Sequence, residues 1–448
     1  MPPSLTRQEA EALVKRVLSF GKADQARVNI ASGWTGNTRF VASEITTAGG
    51  TADTTVTVTS TIGRRRASAT TNVLEDESLK RTVELSERLA RLSPEDPELM
   101  PELDAQSYPT VNGFVERTAQ LTAEDRARAA RQVLEGELVR ANSLQAAGYV
   151  EANAGAVAVG TGGGLFAYHP STDVTLSTTV RTPDGTGSGY AAAAARNWTE
   201  IDAAALGARA SRKALASRNP QAIEPGQYTV VLEPQAVAGM IPLLAASFAA
   251  RQADEGRSPF AKAGGGNKLG EKIADERVTI YTDPADSQVL GRPFDNEGLP
   301  TQRTLWVENG VLKNLAYTRF WAQKQGKTPT GVAFGGFGGI GAAGLKMEGG
   351  TKTVDELVAE TERGILVTRF WYIRFLDQRT VLLTGLTRDG TFLIENGKTT
   401  RSLKNFRWNE SPLFMINKLE ALGRPERTAA GVVMPSMRVR DFTFTSLS

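Results

Sequence analysis

Two residue types that carry much of enzyme chemistry are almost missing from this sequence. Its 448 residues include no cysteine and one histidine, His169. Without cysteine, the chain has no disulfide, no thiolate nucleophile, no iron–sulfur cluster and no cysteine-ligated zinc. With one histidine, a Ser–His–Asp triad and a two-histidine zinc site within the chain are excluded or nearly so. The sequence therefore lacks most of the common catalytic devices.

Long apolar runs and strong charge are missing as well. No stretch of about 18 apolar residues occurs, so no membrane span is expected. The N-terminal residues lack the apolar core of a signal peptide, which favours the cytoplasm. The formal net charge is only +3, and the densest basic run is Arg64–Arg66. Nucleic-acid binding is therefore not expected, and the basic run is interpreted as a solvated strand edge.

What is present predicts an α+β protein. Hydrophobic residues make up 40% of the chain and charged residues 23%, as in folded proteins, and the length favours about two to three domains. In the N-terminal half, capping and apolar periodicity predict helices over Thr6–Phe20, 75–92, 122–141 and 200–216. Alternating segments over 26–32, 38–47, 54–63 and 64–73 predict an antiparallel meander, and strands return from 146.

The C-terminal half is predicted to be mostly β. Asn309-Gly310 and Asn396-Gly397 lie between apolar runs, which is a strong hairpin signal. A short helix is expected over Val354–Arg363, with Gly364 as its C-cap. A link rich in Pro and Gly separates an N-terminal domain, 1–218, from a C-terminal domain, 225–448. The first domain is expected to hold an antiparallel sheet with long helices, and the second a β-rich fold with a few helices.

Three motifs could carry function, and each has a plainer interpretation. Gly336–Gly341 matches G-x-G-x-x-G but follows a polar segment, which favours a flexible loop over nucleotide binding. His169 could act as a general base, although a lone histidine is more often structural or at the surface. The acidic residues of 283–297 could serve acid–base chemistry or a hard cation. Their Pro- and Gly-rich context favours Asx turns instead. This acidic group comprises Asp283, Asp286, Asp295 and Glu297.

The segment VVLEPQAVAGMIPLL, residues 230–244, predicts a buried strand end followed by an apolar helix. Pro234 suits a first helical turn, where its missing N–H has no partner to lose. Pro242 is expected to end or kink the helix. On residue pattern alone the segment is good core or interface material.

Several segments resemble the TldD/TldE (PmbA) family. They include YTDPADSQVLGRPFDNEGLPTQRTLWVENGVLKN, GTGGGLFAYHPSTDVTLSTTVRTPDGTGSGY and GTFLIENGKTTR, in the family's order. The resemblance implies heterodimeric metallopeptidases that cleave unfolded or short peptides. It also implies that TldD-type subunits bind zinc through an H-E-x-x-x-H helix and a C-terminal Cys, whereas TldE-type subunits share the fold without these ligands.

The resemblance places the active-site helix of the family at residues 234–239. Pro234 and Gly239 then stand at the two histidine positions and Gln235 at the position of the base. A shift of one residue would put Glu233 first. The cysteine position falls near GRPERTAAGVV, residues 423–433, and holds no Cys.

Three hypotheses follow from the sequence. The first is a TldE-like, non-catalytic subunit that shapes the substrate chamber, while a TldD-like partner supplies zinc and catalysis. The second is a stand-alone peptide-binding scaffold, perhaps a homodimer, that holds peptides by strand addition. The third is an enzyme of another mechanism that uses carboxylates such as Glu233, Asp295 or Glu297. Residues expected at a substrate or an interface are Glu233, Asp295, Glu297 and His169.

Overall fold

The fold is an α+β arrangement built around two β-sheets. The computed structural model describes residues 4–42, 44–331 and 343–447. The glycine motif Gly336–Gly341 lies outside the described residues. The predicted fold class is confirmed, since an antiparallel sheet with long helices is followed by a β-rich second half. The predicted boundary between 218 and 225 stays a prediction.

The first sheet lies wholly in the N-terminal half, and its strands run antiparallel in the order β3-β2-β1-β4-β5-β6. In chain order the strands are β1 Gln25–Val41, β2 Glu44–Ile62, β3 Arg65–Thr71, β4 Gln145–Thr161, β5 Phe166–Arg181 and β6 Ser188–Ala195. The helices of this half are α1 Arg7–Ser19, α2 Asp76–Leu92, α3 Glu116–Ala119, α4 Ala123–Leu134, α5 Glu137–Ala141 and α6 Ala203–Ala216.

Strand β1 is one long strand where the sequence predicted two. The segments 26–32 and 38–47 were expected to be separate strands. Strand β1 joins the first segment to residues 38–41 of the second, and the second segment is itself divided, since β2 begins at Glu44. Instead, Gly33 allows a close approach of the neighbouring strand, since a Cβ there would lie 2.5 Å from the carbonyl oxygen of Ala154. Gly33 therefore supports strand pairing and does not mark a turn.

One face of the first sheet carries the helices. Helices α1 and α2 cover one end, where they bury Val28, Ile30 and Val58, and α4 and α6 cover the other end, around Trp34 and Phe40. The prediction of a single helix over 122–141 was wrong. The chain breaks between α4 and α5 because Gly136 adopts an extended conformation with ψ 142, and glycine has little helix propensity.

The opposite face of the sheet carries a Pro-rich loop, residues 93–115 between α2 and α3, and the second half of the chain. Arg64, Arg65 and Arg66 donate hydrogen bonds to the backbone carbonyls of Pro97, Ser93 and Met100, respectively. The interpretation of this run as a solvated strand edge holds in part. Strand β3 is an edge strand and Arg64 is exposed, but the arginine side chains also bind the loop.

The second sheet contains a closed ring of strands. The strands of this half are β7 Gly226–Leu232, β8 Ile280–Thr282, β9 Thr304–Glu308, β10 Val311–Leu312, β11 Leu345–Met347, β12 Arg363–Asp377, β13 Leu382–Glu395, β14 Lys398–Ser402, β15 Phe406–Glu410, β16 Leu419–Arg427 and β17 Val433–Leu447. The sheet runs β17-β15-β13-β12-β7, and β7 pairs with β17 again, which closes the ring. Phe370, Trp408 and Phe442 pack together from three of these strands.

The helices of the second half are α7 Pro234–Ala245, α8 Ala250–Asp254, α9 Arg319–Gln325, α10 Val354–Ala359 and α11 Pro412–Asn417. The structure corrects the predicted bounds of two of them. Helix α10 ends at Ala359 with Glu360 as its C-cap, and Gly364 lies in β12, where a Cβ would meet the carbonyl oxygen of Thr229 at 2.6 Å. Helix α7 does not end at Pro242, because burial of the whole helix against β12 and β17 outweighs the proline.

Both predicted Asn-Gly turns are confirmed. Asn309 and Gly310 have φ values of 49° and 77°, and Asn396 and Gly397 have φ values of 51° and 73°. Two successive residues with positive φ are what a tight hairpin turn requires. Among the residues that the structure describes, no helix combines the length and the apolar composition needed to cross a membrane.

Candidate functional site

The candidate site lies at the start of α7, directly after a strand of the closed ring. Strand β7 ends at Leu232, and the backbone N–H of Glu233 bonds the carbonyl oxygen of Val367 on β12 at 3.1 Å. Glu233 is the N-cap residue, and Pro234 occupies the first turn. The ring thus fixes where the helix begins, and its first turn faces the N-terminal half through α6.

Glu233 is held by two partners from other elements. Its Oε2 lies 2.5 Å from the ammonium of Lys213 on α6, and both side chains are largely buried, with exposed fractions of 12% and 17%. Its Oε1 accepts a hydrogen bond from the Thr368 hydroxyl at 3.3 Å. The carboxylate does not cap the helix that it precedes. The ion pair between Glu233 and Lys213 therefore joins α6 to α7.

Gln235 connects the helix to the turn between β16 and β17. Its Oε1 accepts a hydrogen bond from the backbone N–H of Ala429 at 3.3 Å. Ala429 belongs to the segment 423–433, where the sequence placed the family's cysteine position. The two segments expected to share a metal site are therefore in contact. The contact joins the side-chain amide oxygen of Gln235 to a backbone N–H.

Gly239 points at β12. A Cβ there would lie 3.1 Å from Cδ1 of Ile373 and 3.9 Å from Cβ of Phe370. This spacing is tight for a single carbon, so a larger side chain would need Ile373 to move. Pro234 is buried as well. The two predicted histidine positions are thus occupied by packed, non-ligating residues.

A cleft of about 420 Å³ opens beside Glu233 and Pro234. It lies between α6 and the second sheet, and residues of α6, β12, β13 and β17 line it. A smaller cavity on the other side of Glu233 reaches Gln235 and Thr428. The start of α7 therefore borders open space on two sides.

His169 lies elsewhere, on the face of the first sheet that contacts the second half. It is 3% exposed, and its Nε2 has no hydrogen-bond partner among the described residues. Burial, together with the nearby charges of Arg196 and Arg292, lowers the pKa of His169 from 6.5 to about 4. A Cβ at Gly113 would lie 2.5 Å from its Nε2. The imidazole is therefore neutral and enclosed, in a structural setting.

The acidic residues of 283–297 mostly build turns. The Oδ1 atoms of Asp283, Asp286 and Asp295 accept backbone N–H groups two residues further along at 2.9, 2.8 and 2.8 Å. The Asx-turn interpretation is confirmed. Asp295 also accepts the N–H of Leu299, and burial raises its pKa. Glu297 forms an ion pair with Arg319 at 3.3 Å.

This acidic segment docks the two halves onto each other. The Nδ2 of Asn29 on β1 donates to the carbonyl oxygen of Asn296 at 2.8 Å, and the Tyr108 hydroxyl donates to the carbonyl oxygen of Gly298 at 2.8 Å. Phe294 packs with Val159 and Ala167 of the first sheet. His169, Asp295 and Glu297 thus belong to the contact between the halves, and Glu233 belongs to a separate site.

Comparison with known proteins identifies the family. A model described as the PmbA/TldA metallopeptidase C-terminal domain matches residues 225–446, and the corresponding central-domain model matches residues 116–218. The chain belongs to the PmbA/TldD family. Metalloprotease PmbA of Escherichia coli O157:H7 is 25% identical over 394 residues, which cover 85% of this chain and 83% of PmbA.

Other relatives match over shorter regions. An uncharacterized protein of Methanocaldococcus jannaschii is 36% identical over 139 residues, 31% of this chain and 32% of that protein. The chain spans only 14% to 50% of the length of the first five curated relatives that it matches. The crystal structure of TldE from Thermococcus kodakarensis superposes with a TM-score of 0.84 at 18% identity, over 97% of this chain and 99% of that chain. This likeness shows a shared fold.

The PmbA/TldD relationship implies zinc, and the residues of this chain do not fit that ion. Three protein ligands and an open position are needed for a catalytic zinc. Across residues 4–42, 44–331 and 343–447, no three His, Cys, Asp or Glu side chains are grouped closely enough to hold a metal.

Lys213 and Thr368 are site residues that sequence reasoning missed. Lys213 lies on α6, 20 residues before Glu233, and Thr368 lies 135 residues after it on β12. No spacing rule connects positions on different elements at such separations. An isolated carboxylate before a buried helix was the one available signal, because a buried charge requires a partner.

Proposed function

We propose that this chain is a TldE-like, non-catalytic subunit of a heterodimeric zinc metallopeptidase. A separate TldD-like chain supplies the zinc, its ligands and the carboxylate base. The present chain shapes the chamber in which unfolded or short peptides are cleaved. Membership of the PmbA/TldD family supports the metallopeptidase setting, and the chemistry of α7 supports the non-catalytic role.

The observation that carries the proposal is the contact between Gln235 and Ala429. It joins the two segments that the resemblance places at the family's ligand positions, and an amide oxygen bonded to a backbone N–H is not among the usual protein ligands of zinc. Pro234 and Gly239 have no donor atoms in their side chains. Without a metal, the pKa of water stays near its bulk value and hydroxide is scarce at neutral pH. The start of α7 is therefore suited to packing and not to hydrolysis.

The proposal also accounts for the state of Glu233. A general base needs a carboxylate that is free to accept a proton from water. Glu233 is instead bound by the Lys213 ammonium at 2.5 Å and by the Thr368 hydroxyl. This arrangement argues against the alternative of a carboxylate-based enzyme centred on Glu233.

The experiment compares the purified chain with its complex. The chain is expressed alone and together with a TldD-like chain from the same organism, and both samples are assayed for bound zinc and for hydrolysis of an unfolded protein. We expect a 1:1 complex that contains zinc and is active, and an isolated chain with neither property. A complex whose partner carries alanine at its H-E-x-x-x-H histidines is the matched control and is expected to be inactive.

Two results would contradict the proposal. Stoichiometric zinc and full hydrolysis by the isolated chain would show that it has its own active site. Recovery of a homodimer that binds peptide, with no TldD-like chain, would support a stand-alone scaffold.

As part of the same proposal, the complex works in the cytoplasm. Cell fractionation followed by immunodetection of the chain checks this location.

A further inference from the structure

The cleft beside Glu233 carries an excess of positive charge. The cations on its wall are Arg209, Arg212, Lys213, Lys352 and Arg424. The carboxylates on the same wall are Glu233, Glu426 and Asp355. Five cations against three carboxylates leave an excess of two positive charges in a cleft of about 420 Å³. Clefts lined by one sign of charge concentrate ligands of the opposite sign.

The pairing within the cleft shows which cations remain available. Glu233 is bound to Lys213, and Glu426 lies 3.3 Å from Arg209. Lys352 pairs with Glu360, outside the cleft wall. Within the described residues, Arg212 and Arg424 form no ion pair. The one side-chain hydrogen bond of Arg424 is a long contact of 3.5 Å to the carbonyl oxygen of Thr351, and its charge helps to lower the pKa of Glu356, an exposed carboxylate. Both guanidinium groups therefore keep N–H donors for an anion.

The two arginines approach the cleft from opposite sides. Arg212 lies on α6 with Arg209, Lys213 and Ala216, at the spacing that places residues on one helix face. Arg424 lies on β16, within the second half of the chain. The cleft is thus a junction between the two halves, and a ligand held there would touch both.

Part of the cleft wall is apolar. Leu366 and Phe392 come from neighbouring strands of the ring, and Val354 and Pro234 complete the surface. An inorganic anion would leave this surface exposed to water. A peptide that carries a carboxylate would cover it with side-chain carbon while its charge met the arginines, and guanidinium and carboxylate groups have matching geometry.

We propose that this cleft binds a carboxylate-bearing peptide segment, with Arg212 and Arg424 as the carboxylate-binding residues. The carboxylate belongs either to the C-terminus of the peptide or to an acidic side chain. The proposal deepens the proposed function, on which it rests for its choice of a peptide ligand. It names acidic or carboxyl-terminal segments as the part of the substrate that this subunit recognises.

The experiment measures binding by the isolated full-length chain, so it needs neither zinc nor a partner. Three fluorescent peptides of equal length and apolar content are titrated and followed by anisotropy. One has a free C-terminal carboxylate, one a C-terminal amide, and one an amide with an internal Glu. We expect the amide without Glu to bind about tenfold more weakly than a peptide with a carboxylate, as for the loss of one charged hydrogen-bonding partner.

The variants Arg212→Gln and Arg424→Gln test the assigned residues. Each is expected to weaken binding of the carboxylate peptide about tenfold and to leave binding of the neutral amide unchanged. Arg88→Gln is the matched control, because Arg88 is an exposed arginine on α2 in the other part of the molecule. It is expected to leave every binding constant unchanged.

The peptides also separate the two sources of the carboxylate. Tighter binding of the free C-terminus than of the internal Glu assigns the cleft to chain ends, and the reverse assigns it to acidic side chains. Equal binding of all three peptides, no binding of any of them, or an equal loss in Arg88→Gln would overturn the proposal. None of these results affects the zinc and hydrolysis test of the complex, so a failure of this proposal is distinguishable from a failure of the proposed function.

Discussion

Lys213 and Glu233 form an ion pair of 2.5 Å that joins the last long helix of the N-terminal half to the first helix of the C-terminal half. The pair sits at the start of α7, where Glu233 is the N-cap residue. It links the two halves of the chain.

Removing one partner of this pair is expected to destabilise the protein. Lys213→Met should lower the free energy of unfolding by about 3 kcal/mol, because it leaves a largely buried carboxylate with one weak hydrogen bond. Lys15→Met is the matched control, since Lys15 pairs with Glu11 at 2.6 Å but is 73% exposed. That change should cost less than about 1 kcal/mol. Urea unfolding of both variants measures the difference, and equal costs would contradict the structural role of the pair.

His169 is expected to make stability depend on pH in the acidic range. Its pKa falls from 6.5 to about 4 on burial, so between these values the unfolded chain binds a proton that the folded chain does not. The contribution is complete above pH 6.5 and is lost as the pH falls toward 4. Between pH 7 and pH 4.5, the wild type should lose about 2 kcal/mol more than His169→Gln.

Two measurements check this behaviour of His169. Urea unfolding at the two pH values gives the difference between wild type and His169→Gln. Because His169 is the single histidine, its ring resonance in a histidine-labelled sample reports its titration directly. A midpoint near 6.5, or the same pH slope in both proteins, would show that the imidazole is accessible to solvent.

Substitutions at Gly239 test how tightly α7 packs against β12. Gly239→Ala should change stability little, because the gain in helix propensity of about 1 kcal/mol offsets the approach of its Cβ to Ile373. Gly239→His should cost about 1–3 kcal/mol through overpacking. Thermal unfolding of both variants measures the contrast, and Gly239→His combined with Ile373→Ala should recover part of the loss. Equal melting temperatures for the alanine and histidine variants would contradict the packing argument.

The hairpin glycine Gly310 is expected to resist substitution. Its φ is 77°, and a Cβ there would lie 2.4 Å from the carbonyl oxygen of Ala274. Gly63 also has a positive φ, 58°, but a Cβ there meets nothing within 4 Å. Gly63→Ala should therefore cost about 1 kcal/mol for backbone strain alone, and Gly310→Ala clearly more. Denaturant titration of the two variants compares them, and a larger loss for Gly63→Ala would contradict this view.

The features that the sequence predicted well are those set by neighbours in the chain. Thr6 and Glu9 cap α1 reciprocally, as do Thr122 and Asp125 at α4, and each pair is three residues apart. The Asn309-Gly310 turn likewise depends on two adjacent residues. Such interactions can be predicted from the sequence because the backbone geometry of a single turn determines them.

The features that the sequence did not predict depend on distant contacts. The strand over 26–32 was predicted to end before Gly33. The contact that continues the strand through Gly33 is with Ala154, more than a hundred residues away. The pairing of Glu233 with Lys213 and of Gln235 with Ala429 has the same origin. In the site itself, the resemblance to the family drew attention to the start of α7. The partners of Glu233 and Gln235 come from distant parts of the chain, and the sequence did not predict them.

The closed ring of β7, β12, β13, β15 and β17 has a consequence for how the chain is made. Val230 on β7 pairs with Val439 on β17, and the two strands are among the first and last elements of the second half. The first sheet, complete at Ala195, needs nothing from beyond it to form its ladders. During synthesis the N-terminal half can therefore fold on the ribosome, whereas the ring must wait for β17. Until then β7 and α7 stay exposed, so the window for misfolding spans the synthesis of the entire second half.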